Sequence, residues 1–391
     1  MVDYCFDYIE ECEAKKKHIY WSKTPCEKLD ELSVTIIDDG ICLPRIKNEI
    51  TGSLPWMGYG GVINSDGEWV KESGVYRCHG EIVYGGKYDY SEGNLIASAE
   101  TVIYMGPFFP HWGHFLLDFI PRLWYVLEHE SDKKIIFCGW NFAQGEIEGN
   151  YKRLLELIGV DVGRLIDVRK PTRFRKIIIP KPSFERGSYY SGYYRKLIAK
   201  IVNSINYRDE GLCDKLVFSR AQFGIQHKKE YGIDQIDKLF EKNGFRIIYP
   251  EEHTLDEQIY FLRNCKQFVV TPGGASMNLL FANANIEIVF LQKSNEIVNI
   301  NDLYQIAELI NASKVTYVDA YFKLYKTQQI DYGGGLFFLG ITNNVIRFAR
   351  DTGMNVCDVA EGQSVKDWLQ MVIKYGKMEI YKKISLLKRE Q

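Results

Sequence analysis

The chain is 391 residues long, more than one ordinary hydrophobic core accommodates, so two domains are expected. Its 46% hydrophobic and 26% charged residues are those of a soluble globular protein and exclude long disordered stretches. Forty-nine basic against 51 acidic residues leave a formal charge of −2, which excludes a global field for gripping nucleic acid, so no nucleic-acid partner is expected.

The first residues, with Asp3, Asp7, Glu10 and Glu11, lack the basic start and apolar core of a secretion signal. No apolar run approaches the roughly 18 residues of a membrane span, so a cytoplasmic protein is expected. Nine scattered cysteines without a C-x-x-C pair fit reduced thiols in that compartment. From about Ser33 to Tyr104 the pattern is of short strands: Val34 to Ile37, Gly61 to Ile63, Glu81 to Tyr84 and Thr101 to Tyr104, with a hairpin signal at Asp66–Gly67. Gly58-Tyr59-Gly60-Gly61 starts like a dinucleotide fingerprint, but Ile63 stands where the third glycine belongs.

From Phe115 helices and strands alternate, which implies parallel sheets. Leu116, Ile120, Leu123 and Leu127 mark a helix, Lys134 to Cys138 a strand, Tyr151 to Ile158 a helix, and Lys176 to Pro180 a strand. A helix from Tyr193 to Asn206 follows, with a domain boundary near 181–213. The second alternating unit runs from the strand at Val217 through the helix Ile233 to Asn243, the strand at Arg246, a helix opened by Thr254 and Glu257, the strand Gln267 to Thr271 and a helix from Ser276. It continues with the strand Ile286 to Leu291, the helix Leu303 to Asn311 and the strand Val315 to Val318. Gly333 to Gly335 punctuate the chain before a C-terminal helical segment. There Trp368, Leu369, Val372 and Ile373, then Ile380, Tyr381, Ile384 and Leu387, form apolar stripes among Lys382, Lys383, Lys388 and Arg389. Such a basic amphipathic tail either packs on its own protein or touches a membrane surface.

Two places carry chemistry. Pro272, Gly273, Gly274, Ala275 and Ser276 join a buried strand to a helix, a geometry that aims backbone N–H groups and a helix N-terminus at one point, where a phosphate is the natural occupant. Glycine there can instead serve close packing alone. Arg220, at the carboxyl end of a parallel strand, suits phosphate oxygens, with Lys228 and Glu251 as further candidates around it. In the first half His114, Asp118 and Arg122 fall at i, i+4 and i+8 beside His111 and Trp112. A His with a carboxylate one turn away is a candidate general base; the competing reading is a helix-start His, an intrahelical Asp–Arg pair and a core Trp. His111 and His114 lack the spacing and the third ligand of a metal site, and no Asp-x-Asp triplet exists, so a metal-independent site is expected.

These residues resemble a known family. Ser219–Arg220, Gly244–Phe245, Glu257–Gln258, Gly274–Ala275, Asn278 and Phe281, preceded by His114, Phe115, Leu116, Asp118, Pro121 and Arg122, are similar to the two signature blocks of glycosyltransferase family 61. Gly273 stands where many relatives have His, and Lys228, Lys229, Glu230 and Tyr231 replace an Arg-Arg and Asn-Glu pattern.

The resemblance implies a GT-B-like α/β fold, two Rossmann-like domains facing across a cleft, with a β-rich segment at 1–100, an acceptor-side domain at 101–200, a donor-binding domain at 201–330 and helices at 331–391. It implies inverting transfer of a hexosyl, pentosyl or N-acetylhexosaminyl group from a nucleotide sugar, such as a UDP-sugar, to a glycan or lipid-linked glycan, without an obligatory metal cofactor. Bacterial surface polysaccharide synthesis, at the inner face of the membrane if the tail reaches it, is the expected setting. Either Asp118 or His114 would be the base. His111, Trp112 and Arg122 would line the acceptor side, and Arg220, Lys228, Glu251, Gly273, Gly274, Ala275, Ser276 and Asn278 would hold the donor. A catalytically inactive sugar- or nucleotide-binding scaffold on the same fold is the alternative.

Overall fold

A computed structural model describes residues 2–47, 58–78, 80–129, 132–139, 147–208, 211, 213–223, 229–295, 300–322, 336–357, 362 and 365–387. The chain divides into two compact units, one of residues 25–206 and one of 1–24 with 207–391.

In the 25–206 unit the strand Ile96–Phe108 organises a nine-stranded mixed sheet. Its first half pairs in parallel with Thr172–Pro180 and its second half with Lys134–Gly139. The strands Val34–Asp38 and Ile41–Lys47 add to Thr172–Pro180 antiparallel, and Gly58–Ile63 pairs with Ile41–Lys47. Cys42, Val62, Val102, Tyr104, Ile136, Cys138 and Ile177 form one of its buried clusters. The turn expected at Asp66–Gly67 is there: Asn64 Oδ1 accepts the N–H groups of Asp66 and Glu68, and Gly67 takes φ +77°.

The segment after His111 departs from the single α-helix expected. Trp112–His114 is α-helical, Phe115–Phe119 is a π-turn, Ile120–Arg122 is a 3₁₀ turn, and Trp124–Glu128 is α-helical again. Pro121 is the local cause. It has no N–H for the Leu117 carbonyl, so the turn before it widens and the turn after it tightens.

In the other unit six parallel strands stand in the order Asp3–Tyr8, Lys314–Asp319, Glu287–Gln292, Gln267–Val270, Lys215–Phe218, Arg246–Ile248. Helices cover both faces. Val217, Val269, Leu291 and Val318 pack against Ile233, Ile236 and Phe240 of the helix Ile233–Lys242 and against Val345 and Phe348 of Asn343–Asp351. Their strand neighbours point the other way, as the period of two requires: the rings of Phe218 and Phe268 meet there, and Tyr317 meets Phe290 and Tyr304.

The first strand lies far from where its place in the sequence suggested. Asp3–Tyr8 pairs with Lys314–Asp319, and residues 1–24 belong with 207–391 rather than with the β-rich segment that follows them. An irregularity between Cys5 and Tyr8 lets the strand serve both faces: Phe6 stacks on Tyr317, while Tyr8 meets Phe348. Gly333 to Gly335 lie outside the described residues.

Candidate functional site

The unit of residues 25–206 gathers a compact charged centre. His114 Nδ1 lies 2.6 Å from Asp118 Oδ2 across the π-turn, and both side chains are nearly buried. Arg77, ending the strand Val75–Arg77, donates from Nη2 to the same Asp118 oxygen at 2.9 Å, and Arg186 Nη1 stands 3.5 Å from it. Burial alone would raise the Asp118 carboxyl, but the Arg77 and Arg186 charges and the His114 bond overcome it and hold the group well below the usual carboxylate range.

An ionised Asp118 only accepts, so the short contact requires the proton on His114 Nδ1. Nε2 is then the basic nitrogen of the ring. For His114 burial dominates and lowers the pKa; Asp118 raises it, and the two arginines lower it again. The imidazole is therefore neutral near pH 7, as a proton acceptor must be.

The structure separates the other three candidates of this region. His111 is exposed, with its ring 5.2 Å from that of His114. Trp112 is half-buried and packs on Phe115 and Tyr151. Arg122 does not join the centre. It is 1% exposed and donates to three backbone carbonyls, those of Pro180, Glu72 and Gly74, which makes it a brace between segments rather than an acceptor-side residue. The π and 3₁₀ turns between Asp118 and Arg122 shift the helical phase, so the i, i+8 face read from the sequence does not exist. Arg77 and Arg186 carried no local sequence signal, since each reaches Asp118 only through tertiary structure.

The other unit gathers a second centre at the carboxyl ends of its strands. Counted by chain order from Lys215–Phe218, the strand order is 2-1-3-4-5 with Asp3–Tyr8 added at the edge. The switch point of such a sheet, where ligands bind, falls between the first strand, followed by Arg220, and the third, followed by Thr271 and the glycine loop. Lys293, just past the fourth strand, donates from Nζ to Glu230 Oε1 at 3.0 Å, and Thr271 Oγ1 donates to Glu230 Oε2 at 3.1 Å. A Cβ placed on Gly273 would sit 3.6 Å from Lys293 Nζ.

Glu230 is 2% exposed; burial would raise its carboxyl, but the Lys293 and Arg220 charges bring it below the ordinary value. Lys229 is pushed down by burial and then by the like charges of Arg220 and Lys293. Three cations thus share one neighbourhood with Glu230 and with Glu251, whose carboxyl burial raises and Arg220 lowers. Such a cluster suits an anion.

The glycine loop differs in detail from its sequence reading. Gly274–Phe281 is a 3₁₀ helix, not an α-helix. The Gly273 N–H is not free for a ligand, because Ser276 Oγ accepts it at 3.1 Å and donates back to the Gly273 carbonyl at 2.7 Å. Gly274 and Ala275 therefore lead the helix, and Ser276 holds the turn. Asn278 is 3% exposed and donates to Gln258 Oε1 at 2.9 Å, which makes it a latch to the helix Leu255–Asn264 rather than a donor contact. Lys228 lies outside the described residues. Lys293, Glu230 and Thr271 are the additions that sequence reasoning missed. A surface concavity of about 580 Å³ lies at the opposite, amino-terminal ends of these strands, lined by Lys215, Gln267 and Glu287 among others, and touches none of these residues.

A parallel sheet with cations at its switch point and, in the other unit, a carboxylate-held imidazole are the two charged centres of an α/β protein. The sequence profile of the glycosyltransferase 61 family matches residues 112–289, which takes in both centres' signature blocks. The resemblance read from His114–Arg122 and Ser219–Phe281 is thereby borne out, and the match supports glycosyltransferase activity in general. No curated protein matches the chain.

Proposed function

We propose that the protein is an inverting, GT-B-like glycosyltransferase that needs no metal. It moves a sugar from a nucleoside-diphosphate donor to a hydroxyl of a glycan or lipid-linked glycan during surface polysaccharide synthesis in a bacterial cytoplasm. The observation that carries this reading is the 2.6 Å contact between His114 Nδ1 and an Asp118 carboxylate pinned by Arg77.

In this reading His114 is the base and Asp118 a positioning residue that fixes the tautomer and stabilises the imidazolium as it forms. The acceptor oxygen attacks the anomeric carbon, its proton passes to His114 Nε2, and the bond from that carbon to the diphosphate oxygen breaks with its electron pair leaving on the nucleoside diphosphate. Arg220, Lys229 and Lys293, with the N–H groups of Gly274 and Ala275, hold the departing charge. One such contact is worth about 10²–10³ in rate.

The test is a panel of UDP-, GDP- and dTDP-sugars, read by thermal shift and by release of nucleoside diphosphate. The wild type should be stabilised by its donor and turn it over. His114→Ala should keep the thermal shift and lose about 10²–10⁴ in turnover. Folded His114→Ala and Asp118→Asn proteins that retain full turnover would remove the base assignment. A thermal shift without turnover on any acceptor would identify a non-catalytic sugar-nucleotide scaffold instead.

A further inference from the structure

The helix Val365–Leu387 carries more apolar surface than its own unit covers. One face is spent inward: Met371 is buried, and Trp368 and Val372 join it against Tyr231, Leu336 and Phe338. Lys374 Nζ lies 6.0 Å from the Tyr231 ring. A second stripe faces water. Val365, Leu369 and Ile373, spaced i, i+4 and i+8, are 73%, 48% and 58% exposed. At helical pitch these three positions fall within an arc of about 80°. Single exposed apolar residues are ordinary, whereas a continuous stripe along one helix marks an interaction surface.

Charge decides what covers it. Residues 365–391 hold seven basic and three acidic residues, net +4, in a chain whose total is −2, so the remaining residues carry −6. Lys366 and Lys377 border the exposed stripe. A second copy would bring the same positive charge against it, which opposes self-association. An anionic bilayer surface complements both the aliphatic stripe and the lysines. Among the described residues no helix is long and apolar enough to cross a membrane, so the fitting geometry is a helix lying in the interfacial plane.

We propose that the helix Val365–Leu387 docks the protein onto an anionic lipid surface. Val365, Leu369 and Ile373 enter the acyl boundary, and the lysines meet the headgroup phosphates. The inward face stays on its own core, so docking needs no unfolding. The inference stands apart from the transfer chemistry, since none of these residues belongs to either charged centre.

Flotation of the full chain with vesicles tests it. Binding to equimolar phosphatidylcholine and phosphatidylglycerol should exceed binding to phosphatidylcholine alone by at least about tenfold, and salt should weaken it. The double variant Leu369→Glu with Ile373→Glu replaces exposed residues, should melt like the wild type, and should lose about tenfold in vesicle binding. A wild type that ignores the anionic vesicles, or a double variant that floats as well as the wild type, overturns the proposal. So does a dimer in light scattering that the double variant splits without any vesicle binding, which would assign the stripe to self-association.

Discussion

His114 stays uncharged because burial outweighs the carboxylate beside it, and this fixes how activity should depend on pH. A lowered histidine pKa means that His114, the base of the proposed mechanism, remains competent through the range where an ordinary imidazole, near 6.5, would already be protonated. The acid limb of kcat/KM should therefore lie below 6.5, and the contribution of His114 to stability should be lost as the pH drops below 6.5, where the unfolded chain takes up the proton first. Removing the carboxylate takes away the two influences that raise the imidazole, so Asp118→Asn should move the limb further to the acid side while lowering kcat. A pH profile of both proteins decides: an acid limb above 6.5 in the wild type, or one that Asp118→Asn leaves in place, contradicts the pairing. The His–Asp pair was legible in the sequence because a one-turn spacing survives in almost any helical geometry. Arg77 and Arg186 were not, because they are brought in by chain segments whose proximity no local pattern encodes; Arg77 stands 41 residues from Asp118. The same holds for Lys293 and Glu230, which are 63 residues apart.

At the level of elements the alternation of strand and helix was readable almost throughout, since apolar period and capping are local properties. Thr254 and Glu257 form the capping box their spacing announced. Two helical elements behave otherwise, and both sit at the charged centres. Pro121 breaks the first into α, π and 3₁₀ turns, and the second, Gly274–Phe281, is wound as 3₁₀ throughout. The second winding turns Asn278 inward to Gln258, whose Nε2 donates to the carbonyls of Pro250 at 2.8 Å and His253 at 3.0 Å. One amide pair thus ties the glycine loop's helix to the turn that carries Glu251. Asn278→Ala should leave Gln258 Oε1 without this donor and cost about 1–3 kcal/mol in denaturant unfolding. Asn278→Asp, which cannot donate when ionised, should be no better. If both variants unfold like the wild type but fail to bind a nucleotide sugar, Asn278 is a ligand contact after all.

For the whole molecule the decisive feature is the return of the first residues to the last sheet. The sequence places Asp3–Tyr8 next to hairpins of the 25–206 unit, yet its partner is Lys314–Asp319, and a pairing across some three hundred residues has no signature in either segment alone. Its cause is burial. The edge strand and the helix Glu13–Ser22 behind it close an aromatic cluster in which His18 Nδ1 lies 2.8 Å from Tyr304 OH and the His18 ring packs 4.3 Å from Tyr317. Burial drives the His18 pKa down to about 3, so the ring enters the core neutral and holds the tyrosine hydroxyl. Removing residues 1–24 would expose the Lys314–Asp319 edge and strip this cluster of one wall, while leaving the buried core of the 25–206 unit intact. Hydrogen exchange on the truncated protein should show lost amide protection in Glu287–Gln292, Lys314–Asp319 and Ile300–Leu309, with protection in Ile96–Phe108 and Thr172–Pro180 unchanged. Restoring the segment through a flexible linker at the C-terminus of the truncated chain should recover that protection, because the strand needs its edge and not its place in the sequence. Uniform loss across both units, or no loss at all, would mean that the N-terminal strand is not an integral part of the 207–391 fold.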